Sequence, residues 1–232
     1  MAANTLFLRL EGPLQSWGER ARWSVRDTAP EPTKSGVVGL LGCALGISDD
    51  RGLRDLSENL RMGVRCDQPG TRLVDYHTVG GGYAEPALLT ANGKPKYSSG
   101  TPHTEQTWRS YLCDASFLVA LQGASDVIAR LVGAIQAPHW PIYLGRKACV
   151  PTRPPFDGVG EYRDLENALQ QHDPFDGLVR AVIECLPTDE NAVRRHDAVD
   201  SHQRWTFGPR YTREKMFIVP KDKEGTSCIS HA

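Results

Sequence analysis

The stretch from Pro32 through Thr33, Lys34, Ser35 and Gly36 to Gly46 constrains this chain most, because it reads as one helix with a polar, anion-ready start. Val37, Leu40, Leu41, Ala44 and Leu45 fall at i, i+3, i+4, i+7 and i+8, the apolar stripe of a helix facing a core. Gly46 supplies a C-terminal stop. Gly36, Gly39 and Gly42 recur every three residues; each costs about 1 kcal/mol relative to alanine. The pattern therefore asks for close approach by a sheet, another helix or a ligand. At the start, Thr33 or Ser35 can cap the free N–H groups, which with Lys34 form a place where a phosphate can sit. An ordinary capped core helix accounts for the same residues. The Gly-Lys-Ser order of a nucleotide-cradling Walker loop is absent.

At 232 residues the chain can bury a full core, as one large domain or two small ones packed together. No run approaches the roughly 20 apolar residues of a membrane span. Residues 1–5 show no basic region followed by an apolar one, so we expect a cytoplasmic protein with no membrane partner. The six cysteines are scattered without a Cys-x-x-Cys pair, which argues for buried free thiols over a zinc ribbon or redox motif. No His/Cys/Asp cluster stands at ligand spacing, so neither a metal nor a cofactor is expected. The net charge of −1 argues against promiscuous nucleic-acid binding, but charge is unevenly spread. Residues 139–156 carry three basic side chains (Arg146, Lys147, Arg153) and no acid, whereas residues 157–200 carry four basic and eleven acidic ones. A solvated acidic face accounts for the latter.

Residues 6–10 open as a short strand that Glu11-Gly12-Pro13 should end, since proline cannot donate to a ladder. Gln15 and Trp17, then Arg20, Arg22, Trp23 and Arg26, mix aromatic rings with guanidinium groups ahead of the helix. Such a loop suits unpaired RNA, or its tryptophans plug the core; for Trp17 we expect the core. A weaker helical pattern follows over 49–61, then a strand at 62–66. Residues 72–79 look extended and contain Asp75-Tyr76-His77-Thr78. From 80 to 106 turn chemistry takes over, with Gly80-Gly81-Gly82 and Asn92-Gly93 predicting a protruding hairpin. Strands are expected at 107–112 and at 116–121, the second an unbroken apolar run buried on both faces. A helix over 125–136 and a strand at 142–144, running into Gly145-Arg146-Lys147, complete a βαββαβ order. Downstream, 178–186 alternates as a half-buried strand, 211–219 offers another, and 221–232 reads as a solvated tail.

The fold class expected is thus α+β: a modified ferredoxin-like (RRM-like) domain over residues 1–150 with a hairpin thumb at about 80–106, a smaller β-rich region over 151–220, and a flexible tail over 221–232. Five motifs in order then carry a resemblance: Leu14-Gln15-Ser16-Trp17-Gly18; Pro32-Thr33-Lys34-Ser35-Gly36 with Gly39-Leu40-Leu41-Gly42; Asp75-Tyr76-His77-Thr78; Thr107-Trp108-Arg109 with Tyr111-Leu112-Cys113-Asp114-Ala115; and Tyr143-Leu144-Gly145-Arg146-Lys147. Across nearly its whole length the chain resembles the CasD-type subunits of type I-E CRISPR Cascade, within the repeat-associated mysterious protein superfamily. The resemblance implies a non-catalytic antiviral-defence subunit that caps the 5′ handle of the guide RNA, with a thumb packed on a neighbouring backbone subunit, contacts to the large subunit, and target DNA met only through the complex. It points to Gln15, Trp17, Arg22, Arg26, Thr33, Lys34, Ser35, Gly36, His77, Trp108, Arg109, Arg146 and Lys147 as RNA-binding candidates. A related type cuts its own repeat RNA with tyrosine, lysine and histidine, so a metal-independent endoribonuclease using Lys34, Tyr76, His77 and Tyr111 is the alternative. A scaffold touching only protein is the third reading.

Overall fold

The computed structural model describes residues 3–19, 24–80, 85, 87–173, 177–201 and 206–219. Arg22 and the expected tail over 221–232 lie outside them. The organising element is β7 (Glu105–Gln122), an 18-residue strand where two shorter ones were expected. At about 3.4 Å per residue it is some 60 Å long. Its second half is the apolar run, and both faces are covered: Phe117, Val119 and Leu121 join one core, Leu118 and Ala120 the other.

On one side β7 pairs antiparallel with β1 (Thr5–Gln15) from Thr5↔Gln122 to Gln15↔Leu112. β1 outruns its expected end because Pro13 falls opposite Asp114, whose φ of 53° marks an irregularity, so no ladder bond is demanded there. On its other side β7 pairs with β3 (Arg61–Gln68) over its buried half and with β4 (Thr71–Val79) over its first half. The change of partner falls at Gly70, at φ 73°; a side chain there would begin 2.4 Å from the Cys113 carbonyl oxygen. Beyond that point β4 is largely exposed along its length, so β4 and the start of β7 leave the body as a two-stranded ribbon. Of the thumb expected over 80–106, residues 81–84 and 86 lie outside the described residues; the described ones join the two strands of this ribbon and include β5 (Tyr97–Ser98) paired with β6 (Thr101–Pro102). A short β2 (Val25–Arg26) lies parallel against β7 at Trp108 and Arg109.

The outer neighbour of β1 is β8 (Phe156–Gly160), not the strand expected at 142–144. Residues 142–144 are instead a loop pressed on the end of β1. The Ser16 N–H donates to the Leu144 carbonyl at 3.0 Å, and Gly145, at φ 95°, sits so close that a Cβ would lie 1.8 Å from the Ser16 carbonyl oxygen. β9 (Gly177–Glu184) joins the free edge of β3, followed outward by β11 (Thr206–Val219) and β10 (Val193–Ser201). The sheet therefore runs β10-β11-β9-β3-β7-β1-β8.

α1 (Lys34–Leu45), α2 (Asp50–Glu58) and α3 (Ser125–Gln136) build the larger core on one face; α4 (Leu165–Gln171), started by Asp164 accepting from the Asn167 N–H, builds the smaller. α1 ends at Gly46 with φ 72°, as its sequence requires. Its glycines divide: Gly36 meets the Trp17 ring and Gly42 meets Leu53 of α2, but a methyl on Gly39 finds nothing within 4 Å. Gly39→Ala should therefore raise stability by about 0.5–1 kcal/mol in chemical denaturation, while Gly36→Ala, crowding Trp17, should lower it.

Candidate nucleic-acid interface

The start of α1 is not the open anion site its residues promised. Thr33 caps the Gly36 N–H at 3.3 Å, but Thr33 and Lys34 are only 1% and 5% exposed. The Lys34 N–H donates to Asp197 Oδ2 at 2.9 Å, and its Nζ donates to both oxygens of Glu184 at 3.0 Å. Arg210 closes the network on Asp197 with bonds of 2.9 and 2.6 Å. β9 and β10 thus bring the chain's own carboxylates, and β11 an arginine, to the place where a phosphate was expected, and Thr33 and Lys34 are corrected to structural residues, while Ser35 and Gly36 are half-buried on the same turn. Burial pushes the Lys34 ammonium below its ordinary pKa, with Glu184 opposing. Burial alone would raise the Asp197 carboxyl, but hydrogen bonds and charge from Arg210, the Lys34 N–H and Arg195 outweigh it and hold it below the usual range.

Gln15 and Trp17 are also inside. The Trp17 Nε1–H donates to Gln15 Oε1 at 3.0 Å, and Gln15 Nε2 donates to the Leu10 and Ala115 carbonyls at 3.0 and 2.7 Å. Trp17 fills the core against Gly36, as expected of it, and neither side chain reaches solvent.

The other candidates meet at the base of the ribbon. Parallel pairing of β2 with β7 sets Arg26 beside Arg109. Arg146 fastens the bend after Gly145 to both: Nη1 donates to the Ser110 carbonyl at 2.9 Å, Nη2 to the Arg26 carbonyl at 2.8 Å, and the guanidinium lies 4.7 Å over the Tyr111 ring. Arg146 is therefore a clamp, and the exposed Lys147 next to it is the open cation of that bend. On β4, His77 Nδ1 is 3.8 Å from Asp75 Oδ2; on β7, Arg109 Nε donates to Thr107 Oγ1 at 3.2 Å and Trp108 is exposed. Two residues that the sequence reading did not single out as RNA contacts join them: Arg72, donating to Ser110 Oγ at 3.0 Å, and Tyr76, whose ring stands against Trp108. Alternation of Arg72, Val74 and Tyr76 along an extended stretch was the available signal.

Among the described residues no three His, Cys, Asp or Glu side chains are grouped to hold a metal ion, and no helix is long and apolar enough to cross a membrane.

A mainly antiparallel sheet with helices on both faces is shared with solved Cas proteins. One chain from a CRISPR RNA-guided surveillance complex superposes with a TM-score of 0.76 at 32% identity, covering 94% of this chain and 91% of that one. A second, from a crystal structure of a Cas protein, gives 0.67 at 34% identity, covering 93% and 97%. The chain belongs to the CRISPR-associated protein family Cas_Cas5, whose profile matches residues 5–217. It is 40% identical over 185 residues to the CRISPR system Cascade subunit CasD of Escherichia coli (strain K12), covering 74% of this chain and 78% of that protein.

Proposed function

We propose that this protein is a non-catalytic subunit of a type I-E CRISPR surveillance complex that binds and caps the 5′ handle of the guide RNA. The observation that carries the reading is the convergence of Arg26, Arg109, Arg146 and Lys147 where the ribbon leaves the body, in a chain so similar to a Cascade subunit. Arg26, His77 and Arg109 meet the RNA from one face of the ribbon base and Trp108 from the other, with Lys147 on the neighbouring bend, and Arg146 holds their loops in place. The strand order β8-β1-β7-β3, antiparallel throughout and crossed over by α1–α2 and by α3, supports a modified ferredoxin-like body. The ribbon tip packs on a neighbouring backbone subunit. The body takes in β8 and the sheet runs on through β9, β11 and β10, so the boundary expected near 150 does not divide it; the region beyond β8 offers surface to the large subunit. The complex works in the cytoplasm, and target DNA is met through it.

Strand cleavage by 2′-hydroxyl attack needs a base, an acid and a cation on one phosphate. Lys34 is held by Glu184 inside the protein, Tyr111 is buried beneath Arg146, and Tyr76 and His77 point to opposite faces of β4. This supports binding without cutting.

Incubation of the full chain, alone and in the assembled complex, with repeat RNA and with guide RNA tests the reading: binding and handle protection without cleavage are expected. Arg26→Ala and Lys147→Ala should each flatten the slope of log K against log salt by about 0.7, the single-strand value for one phosphate, with unchanged melting. Cleavage by the chain alone would establish the nuclease instead.

A further inference from the structure

Three strands meet at the base of the ribbon, and their registers line up one exposed row. Tyr76 of β4 pairs with Trp108 of β7, which pairs with Val25 of β2. Cross-strand partners share a face; the two rings bear this out, with centroids 5.5 Å apart and planes tilted at 53°. Tyr76 is 54% exposed, Val25 50% and Trp108 42%, so the row lies open. Arg72 belongs to the same face, since its Nη2 donates to Ser110 Oγ, two residues on from Trp108. That separation is about 7 Å along the strand, comparable with the length of one extended nucleotide. Positions 72, 74, 76 and 78 of β4 with 106, 108, 110 and 112 of β7 hold an arginine and no acid, while Asp75 falls on the opposite face beside His77.

From this juxtaposition we infer that Trp108 and Tyr76 form a stacking platform for one unpaired base of the bound RNA, with Arg72 on the adjacent phosphate. The inference rests on the RNA-binding reading above and adds to it the place where a base, rather than the backbone alone, is held. A ring face open to solvent and a cation one nucleotide away, on a face without acid, match a polyanion whose every unit carries a π surface. Protein interfaces favour tryptophan, tyrosine and arginine as well; the position of the row at the base of the ribbon, next to the residues proposed above to hold unpaired RNA, favours the polyanion. Stacking tolerates any base, so the platform sets the position of the RNA chain and leaves its sequence unread.

The test compares Trp108→Leu, Trp108→Phe and Tyr76→Ala in the full chain, alone and in the assembled complex, with guide RNA carrying single abasic sites along its 5′ handle. Melting is followed alongside. Trp108→Leu should weaken binding about tenfold or more, with melting unchanged, whereas Trp108→Phe keeps wild-type affinity. One abasic position should reproduce the loss, and combining it with Trp108→Leu should cost no more than either alone, since two changes that remove one contact are not additive. Equal affinity of the Leu and Phe variants overturns the platform. So does a Leu variant that binds RNA normally but no longer joins the complex, which would make the row a protein-docking face and leave the RNA-binding reading intact. A wild-type chain that binds no guide RNA in either setting overturns both.

Discussion

Asp197→Ala should lower stability by about 3–5 kcal/mol, because it leaves the buried Arg210 guanidinium and the Lys34 N–H without their carboxylate. Asp197 and Arg210 are 1% and 5% exposed, so water cannot replace the lost partner. The β10–β11 pair is attached to the start of α1 through this network, and the expected signature is a lower denaturation midpoint with early proteolysis between residues 188 and 192. Lys34→Ala should be milder, because Arg210 Nη1 remains 3.9 Å from Glu184 Oε2 and Glu184 also accepts the Met62 N–H at 3.1 Å. The pH dependence follows from the depressed Asp197 carboxyl. Its contribution is fully present above the ordinary aspartate range and is lost as pH falls through its lower folded value, so wild type should lose stability on acidification and Asp197→Ala should lose less. An Asp197→Ala protein that melts like wild type at neutral pH would show that the ion network sets register without adding stability.

Trp17→Ala should cost about 3–5 kcal/mol as well, by a different route: loss of a large apolar body and opening of a cavity. Its ring supports Gly36 and its Nε1–H satisfies Gln15, so truncation strips a buried amide of its partner besides removing contacts. RNA affinity measured well below the melting temperature should stay close to wild type. Near-normal stability with a loss of RNA binding would mean that the ring leaves the core when RNA is bound.

What local chemistry dictates was legible beforehand. α1 with its Thr33 cap and Gly46 stop, α3 with its apolar stripe and the two-sided burial of 116–121 all follow from residue spacing and capping within a few turns of chain, whereas the loop of Trp17 allowed both RNA stacking and the core. α4 escaped notice because Leu165–Gln171 is only seven residues and mostly polar, and β8 because two of its five residues are glycine. Neither announces itself until a neighbour covers it. The ribbon was half legible: turn chemistry marked its tip, while its length was set by β7 continuing past Asp114 to pair with β4.

For the site the division is sharper. Lys34 at a helix start has the same local sequence whether it faces a phosphate or a carboxylate; what decided its role is that Asp197 and Glu184, at sequence separations of 163 and 150 residues, arrive on strands packed against that end. In the same way nothing near Arg146 says that its donors are taken by the Ser110 and Arg26 carbonyls, or that Tyr76 will stand beside Trp108. The sequence by itself determined α1, α2, α3 and the apolar central strand, which of their faces seek cover, and the family to which their motifs point. The tertiary structure alone decided which charges are neutralised inside and which stay open to a partner, because pairing a buried charge depends on the group that long-range packing delivers to it.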